Sequence, residues 1–284
     1  MTRLFDKCKL SSDGFFVDVE DVDVTLPNGE VVQRGIDFRN RFHLSDYFTA
    51  DIFVPCGGRP KSVDITNVSS FFRDVNGTKV PKFKYIVEGA NLFFTQSARL
   101  YLEEHGVIVY KDASANKGGV TSSSLEVLAS LALTDEEFEK WMINEDSDFY
   151  QAYVKDVWDK ITQNARGEFE AIWREHESTG TPRSVLCDML SNKINDLNDS
   201  IQNSPLWNNV ELRKVMLRRA LPPTLLKFVE GGLDTILKRV PESYLKAIFG
   251  SHVASQFVYQ YGLSTTDFSF FEYMEPLISA PVSN

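Results

Sequence analysis

The sequence predicts an α/β fold that gives way to an all-helical region near residue 130. Three observations lead there. The short apolar runs Asp51–Pro55, Lys84–Glu88 and Val107–Tyr110 lack clean polar alternation, as expected of strands covered on both faces of a parallel sheet. A helix pattern between the last two completes a strand–helix–strand unit, whose crossover is right-handed. From about Ser122 onward, apolar residues recur every three or four positions instead. Residues 1–130 are therefore expected to form a partial doubly wound parallel sheet with an inserted β-hairpin. Residues 131–284 are expected to form a helical C-terminal region.

The elements follow in order. Val17 to Leu26 alternates apolar and acidic, with a change of parity at Glu20-Asp21 that implies a bulge or a change of face. Pro27-Asn28-Gly29 then reads as the turn of an antiparallel hairpin. The crossover helix has Thr95 as N-cap and Gly106 just past its end. Thr134-Asp135-Glu136-Glu137 is a capping box opening a helix through Met142. Phe149, Tyr153, Val157, Ile161, Ala165, Phe169 and Ile172 mark one amphipathic helix of about eight turns. Gly167 inside it points to a close packing contact. Thr181-Pro182 reads as an N-cap followed by proline at the first helical position. Pro222-Pro223 and Gly231-Gly232 interrupt a third region, and Pro241-Glu242-Ser243 opens a further helix.

Composition excludes several function classes. The 284 residues are enough to bury a core without disulfide or metal staples. Hydrophobic residues at 43% and charged residues at 25% exclude wholesale disorder. With 30 Lys plus Arg against 40 Asp plus Glu, the net charge of -10 repels a polyanion, so general nucleic-acid binding is not expected. Cys8, Cys56 and Cys187 are odd in number and lack CxxC spacing, which fits reduced thiols in the cytoplasm. The four histidines are scattered and no HExxH occurs, so no metal site is expected. No apolar run approaches the ~18 residues of a membrane span. Met1 to Lys7 lacks the apolar core of a signal peptide. Arg213, Lys214, Arg218 and Arg219 read as a solvated helix face. The aromatic stripe Phe149, Tyr153, Trp158 and Trp173 reads as core or subunit contact.

The chemistry sits in small-residue turns at the C-terminal ends of the three buried strands, where an open α/β sheet places its ligand crevice. Pro55-Cys56-Gly57-Gly58-Arg59-Pro60 follows the first strand, and its glycines permit close approach to the backbone. Glu88-Gly89-Ala90-Asn91 follows the second. It is either a tight Asx turn or a seat for a flat ring whose edge Asn91 can bond. Asn116-Lys117-Gly118-Gly119-Val120 follows the third and feeds Thr121 to Glu126. It is either an ordinary helix start or a Gly-rich loop favouring an anion, a carboxylate as readily as a phosphate.

Together these turns resemble the glutamate dehydrogenases of the amino-acid dehydrogenase superfamily. The specific similarity is to the large NAD-specific enzymes of fungal type. Asp51 to Pro60, Tyr85 to Phe94, Lys111 to Leu133 and Pro241 to Lys246 carry it, and it extends over essentially the whole chain. The resemblance implies a Rossmann-like sheet and oxidative deamination of L-glutamate to 2-oxoglutarate and ammonium, with NAD as cofactor. It implies that Asn91 and Asn116 contact the nicotinamide ribose and carboxamide, that Cys56 and Gly57 lie along the cofactor, and that Ser123 hydrogen-bonds the distal carboxylate of the substrate. It also implies a homo-oligomer in the full-length enzyme. Lys117 stands where smaller members have alanine, a change expected to be harmless at the loop surface, and Ser124-Leu125 replace an aromatic pair.

Some of the family's parts are missing. No glycine-flanked lysine motif, acid–base aspartate or GxGxxG fingerprint is found. The chain therefore reads as the second half of a nucleotide-binding domain plus the helical C-terminal region, with no catalytic residue of its own. As an isolated chain it is expected to be inactive. A dehydrogenase for an apolar amino acid would want an apolar group at Ser123. A different class of reading is a non-catalytic helical oligomerisation or regulatory module.

Overall fold

The computed structural model describes residues 16–26, 29–45 and 49–279. The amino-terminal segment with Cys8, and Pro27-Asn28 of the first turn, lie outside them. The architecture is a small parallel sheet flanked by two hairpins and followed by a helical C-terminal region.

β1 (Val22–Thr25) and β2 (Val31–Arg34) pair antiparallel, with Val24 opposite Val32. Their register is regular. The parity change at Glu20-Asp21 falls on a turn closed by the Asp21 amide donating to the Asp18 carbonyl at 3.1 Å, not on a bulge. α1 (Gly35–Arg41) follows, then β3 (Ile52–Phe53). A second hairpin, β4 (Phe72–Val75) and β5 (Thr78–Pro81), is inserted before β6 (Tyr85–Val87). The Asn76-Gly77 pair turns it, both residues having positive φ, 54° and 81°, the signature of a tight hairpin turn matched to strand twist.

The sheet order is β3-β6-β7, all parallel, with β7 at Ile108–Tyr110. α2 (Gln96–Glu104) makes the crossover. Thr95 caps it, its hydroxyl accepting from the Ala98 amide at 3.3 Å, and Gly106 reverses the chain at φ 83°. Ile86 and Val109 pack toward α2 with Ala98 and Leu102. Val87, Ile108 and Tyr110 turn to the opposite face, against the helical region. Apolar residues on both faces explain why these strands show no polar alternation, although the second face is only partly covered, Tyr85 being 41% exposed. Beneath β3, Phe53, Phe71, Phe83, Phe93 and Phe94 form an aromatic cluster with ring centroids 4.9 to 6.4 Å apart.

After β7 the chain is helical. α3 (Asp112–Ala115) is one turn, and α4 (Gly118–Ala132) begins at the glycines themselves. Gly118 and Gly119 are thus the first turn of a helix, not a loop before one; Ile161 lies 3.4 Å from where a Gly118 Cβ would be. The Thr134–Glu137 capping box is formed, but its helix, α5 (Asp135–Phe138), passes into a π turn over 139–143. α6 (Asp148–Thr179) is the long amphipathic helix, 32 residues capped by Ser147. Its Gly167 backs onto Tyr259, whose Cδ2 would stand 2.8 Å from an added Cβ. α7 (Arg183–Asn203) starts one residue later than the sequence implies: Pro182 is the N-cap, not the first helical residue, and no side chain caps the helix.

α8 (Val210–Ala220), α9 (Pro223–Phe228), α10 (Gly232–Arg239), α11 (Glu242–Tyr261) and α12 (Asp267–Ser279) complete the chain. Leu128, Phe149, Leu212, Leu225 and Phe249 centre the helical core. Each such side chain contributes about 1.5–3 kcal/mol on burial. Polar links tie the helical region to the sheet. Lys111, just past β7, pairs with Asp188 of α7 at 2.6 Å, and the Ser184 hydroxyl donates to Glu103 of α2 at 2.6 Å.

Candidate functional site

The turns after β3, β6 and β7 meet at one end of the sheet. The Ala90 amide donates to the Pro55 carbonyl at 2.7 Å, joining the first two. A Cβ on Gly89 would lie 3.1 Å from the Cys56 sulfur and 3.2 Å from the Pro55 oxygen, so any larger residue would press the two turns apart by a few tenths of an ångström. Asn116, at the end of α3, donates its side-chain amide to the Asn91 side-chain oxygen, and the same nitrogen lies 3.5 Å from the Gly89 carbonyl. Cys56, Asn91 and Asn116 are therefore neighbours. Gly57 is exposed, and a Cβ there would meet nothing within 4 Å.

Ser123 is placed differently. It is exposed on α4, about 7–8 Å along the helix axis from Gly118. Its hydroxyl donates back to the Val120 carbonyl at 3.1 Å. Ser122 and Thr121 likewise donate to Gly119 and Lys117 carbonyls. Among the described residues no hydrogen bond joins Ser123 to either asparagine. It shares an open stripe with Gly119, Val120, Glu126 and Val127.

Beneath the asparagines lies a buried ionic network that local spacing does not reveal. Arg99 of α2 grips Glu88 with both ends of its guanidinium, at 2.6 and 2.8 Å, and reaches Asp112 at 3.5 Å. Arg99 is 3% exposed and Glu88 0%. Asp112 in turn accepts from the Leu92 amide at 2.7 Å, which holds Leu92 at a positive φ of 55° directly after Asn91. One guanidinium thus fixes the turn carrying Asn91 to the helix carrying Asn116. Burial pushes the Glu88 carboxyl up, and the Arg99 hydrogen bonds and charge oppose that shift. A charged residue between Ala98 and Leu102 on the apolar face of α2 is the only local sign of the network.

Lys117 is also not the loose surface residue expected. It pairs at 2.6 Å with Glu168 of α6, which is buried and accepts at 3.2 Å from the Tyr259 hydroxyl of α11. Cys56 and Cys187 are free thiols, and burial raises the Cys187 pKa to about 11. Among the described residues no cluster of three His, Cys, Asp or Glu could hold a metal, and no helix is long and apolar enough to cross a membrane.

A family model for glutamate/leucine/phenylalanine/valine dehydrogenases matches residues 13–180, more than half the chain. The chain belongs to that family. It is 60% identical to glutamate dehydrogenase 2 of Dictyostelium discoideum over 98% of its length, and 57% identical to the NAD-specific glutamate dehydrogenase of Neurospora crassa over 96%. The NAD-specific enzyme of Saccharomyces cerevisiae is 46% identical over 95%. The chain spans about a quarter of the length of these relatives, 26%, 26% and 25%. No solved structure matches it. The family match covers the three strands and the turns that hold Cys56, Asn91, Asn116 and Ser123, and it ends just after α6.

Proposed function

We propose that this chain supplies the nicotinamide end of the cofactor site, and one substrate contact, of an NAD-dependent glutamate dehydrogenase. The reaction is L-glutamate, NAD and water to 2-oxoglutarate, ammonium and NADH. The observation that carries the reading is the meeting of the Asn91 and Asn116 amides at the C-terminal ends of adjacent parallel strands, where such sheets bind nucleotides. The names of the relatives support the choice of cofactor and substrate.

The residues present fit one end of the cofactor. Two side-chain amides can donate to and accept from a carboxamide and a ribose, and the surface over Gly57 is open. When bound, NAD would take the hydride leaving the substrate Cα. The role of this chain is to fix the ring's face and rotation, since transfer needs the reacting atoms within about 3–3.5 Å. Cys56 and Gly57 would lie along the cofactor, and Ser123 would donate to the distal carboxylate after giving up its bond to Val120. No residue of the chain is assigned the proton transfers, so residues 1–130 are read as the second half of a nucleotide-binding domain and 131–284 as its helical companion. The assembled enzyme is read as a cytoplasmic homo-oligomer.

Two measurements test this. The purified chain incubated with glutamate and NAD should show no turnover; sustained NADH production would defeat the reading of an incomplete site. In a full-length dehydrogenase carrying this sequence, Ser123→Ala should raise the glutamate KM by the worth of a charge-assisted hydrogen bond, about 1.5–3 kcal/mol. An unchanged KM removes Ser123 from the pocket.

A further inference from the structure

We propose that a cavity between α4, α6, α7 and α11 binds a small multivalent anion, held by the Lys160 ammonium and the side-chain amides of Asn164 and Asn195. The cavity has a volume of about 530 Å³. Asn164, Ser191, Asn195 and Ser255 line it, with Thr121 and Ser124 contributed by α4. Its lining holds no carboxylate. Lys117, at its rim, is already neutralised by Glu168. Lys160 is not: its ammonium donates to the Arg219 carbonyl at 3.3 Å, and among the described residues no carboxylate lies within 4.0 Å of it. A half-buried cation without a counter-charge is costly unless something pairs with it. It stands out on a chain of net charge -10. The lining is largely apolar, and the Thr121 and Ser255 hydroxyls already donate to the Lys117 and His252 carbonyls, so the Lys160 ammonium and the Asn164 and Asn195 amides are the donors offered to a phosphate or carboxylate group.

His252 borders the same cavity and supplies an independent readout. Burial, and then the charges of Lys160 and Arg219, hold its pKa down at about 4, so it is neutral near pH 7. The titratable groups lining the two cavities that His252 borders are Lys160 from α6, Lys117 from α4, Arg218 and Arg219 from α8, and Glu272 and Tyr273 from α12, of which Lys160 and Arg219 act on its charge. From its own helix come Tyr244, Tyr259 and Tyr261; α7 offers only Ser191, Ile194 and Asn195. An anion beside Lys160 screens the repulsion, so binding draws a proton toward the imidazole. This inference concerns binding alone and does not depend on the dehydrogenase reading.

The test uses the intact chain with inorganic phosphate, and separately with succinate, at ionic strength matched with chloride. Either probe should raise the Tm, and the stronger of the two tells phosphoryl from carboxylate chemistry. The His252 imidazole, followed by NMR through a pH titration, should shift its pKa upward in the presence of that probe. Lys160→Met should abolish the Tm response, and Lys155→Met, from a surface pair with Asp159, should retain it. The proposal is overturned if neither probe exceeds chloride, or if Lys160→Met responds like the wild type. Should that variant fail to fold, the imidazole titration of the unaltered chain decides instead, and a pKa that does not move with the probe overturns the proposal.

Discussion

Arg99 is the residue on which the candidate site's geometry rests. Replacing it with methionine keeps the length but leaves Glu88 and Asp112 buried without their cation, at a cost of about 3–5 kcal/mol. The loss should depend on pH. Burial already raises the Glu88 pKa in the folded chain against the pull of Arg99, so the folded state holds that proton more tightly than the unfolded one. Stability therefore falls as pH rises from the ordinary carboxylate range through the raised value. Without Arg99 that window widens upward. Urea midpoints of Arg99→Met should recover toward wild type as pH is lowered from about 8 to about 5. An equal deficit at both pH values would show that Glu88 is not the group left stranded. Asn91 and Asn116 are legible in the sequence because each ends a recognisable strand–turn unit. The Arg99 network is not, because Glu88, Arg99 and Asp112 belong to three different elements, and nothing local says which charges will meet.

At the scale of elements, caps are legible and junctions are not. Thr95 and Thr134 cap the helices that the sequence assigns to them, because an N-cap bond forms within a few residues of chain. The β4–β5 hairpin announces itself only by Asn76-Gly77; its strands carry Arg73, Asp74 and Lys79, which blur the alternation. Gly118-Gly119 reads as a loop from propensity, but both lie in the first turn of α4, where Gly118 faces Ile161. Two alanine substitutions separate propensity from packing. Gly167→Ala gains about 1 kcal/mol in helix propensity but drives a Cβ into the base of the Tyr259 ring, a strain of about 1–3 kcal/mol. It should lower the Tm. Gly119→Ala meets nothing within 4 Å and should be neutral or stabilising by up to about 1 kcal/mol. If Gly167→Ala is the stabilising one, the contact between α6 and α11 is looser than described.

Across the whole molecule, the sheet is unevenly covered. Val109 and Ile86 are sealed on one face, while Ile52 at the β3 edge is 54% exposed and Tyr85 41%. These two open an apolar groove of about 430 Å³ that continues past Ile108 and Tyr110 to Phe169 and Trp173 of α6. Edge strands and apolar patches of this kind promote self-association. Ile52→Lys should reduce concentration-dependent light scattering by the chain without lowering its Tm, and unchanged scattering would place the sticky surface elsewhere. The -10 net charge, read from composition alone, says nothing of this groove, because patches arise from residues distant in sequence.

Lys117 adds a last consequence. It sits between Asn116 and Gly118, and through Glu168 it is geared to Tyr259, well down α11. A small roll of that late helix would be felt at an asparagine more than a hundred positions earlier, by a linkage only three side chains long. Distance along the chain is therefore a poor guide to which substitutions in the final third will disturb the turns at the sheet's end.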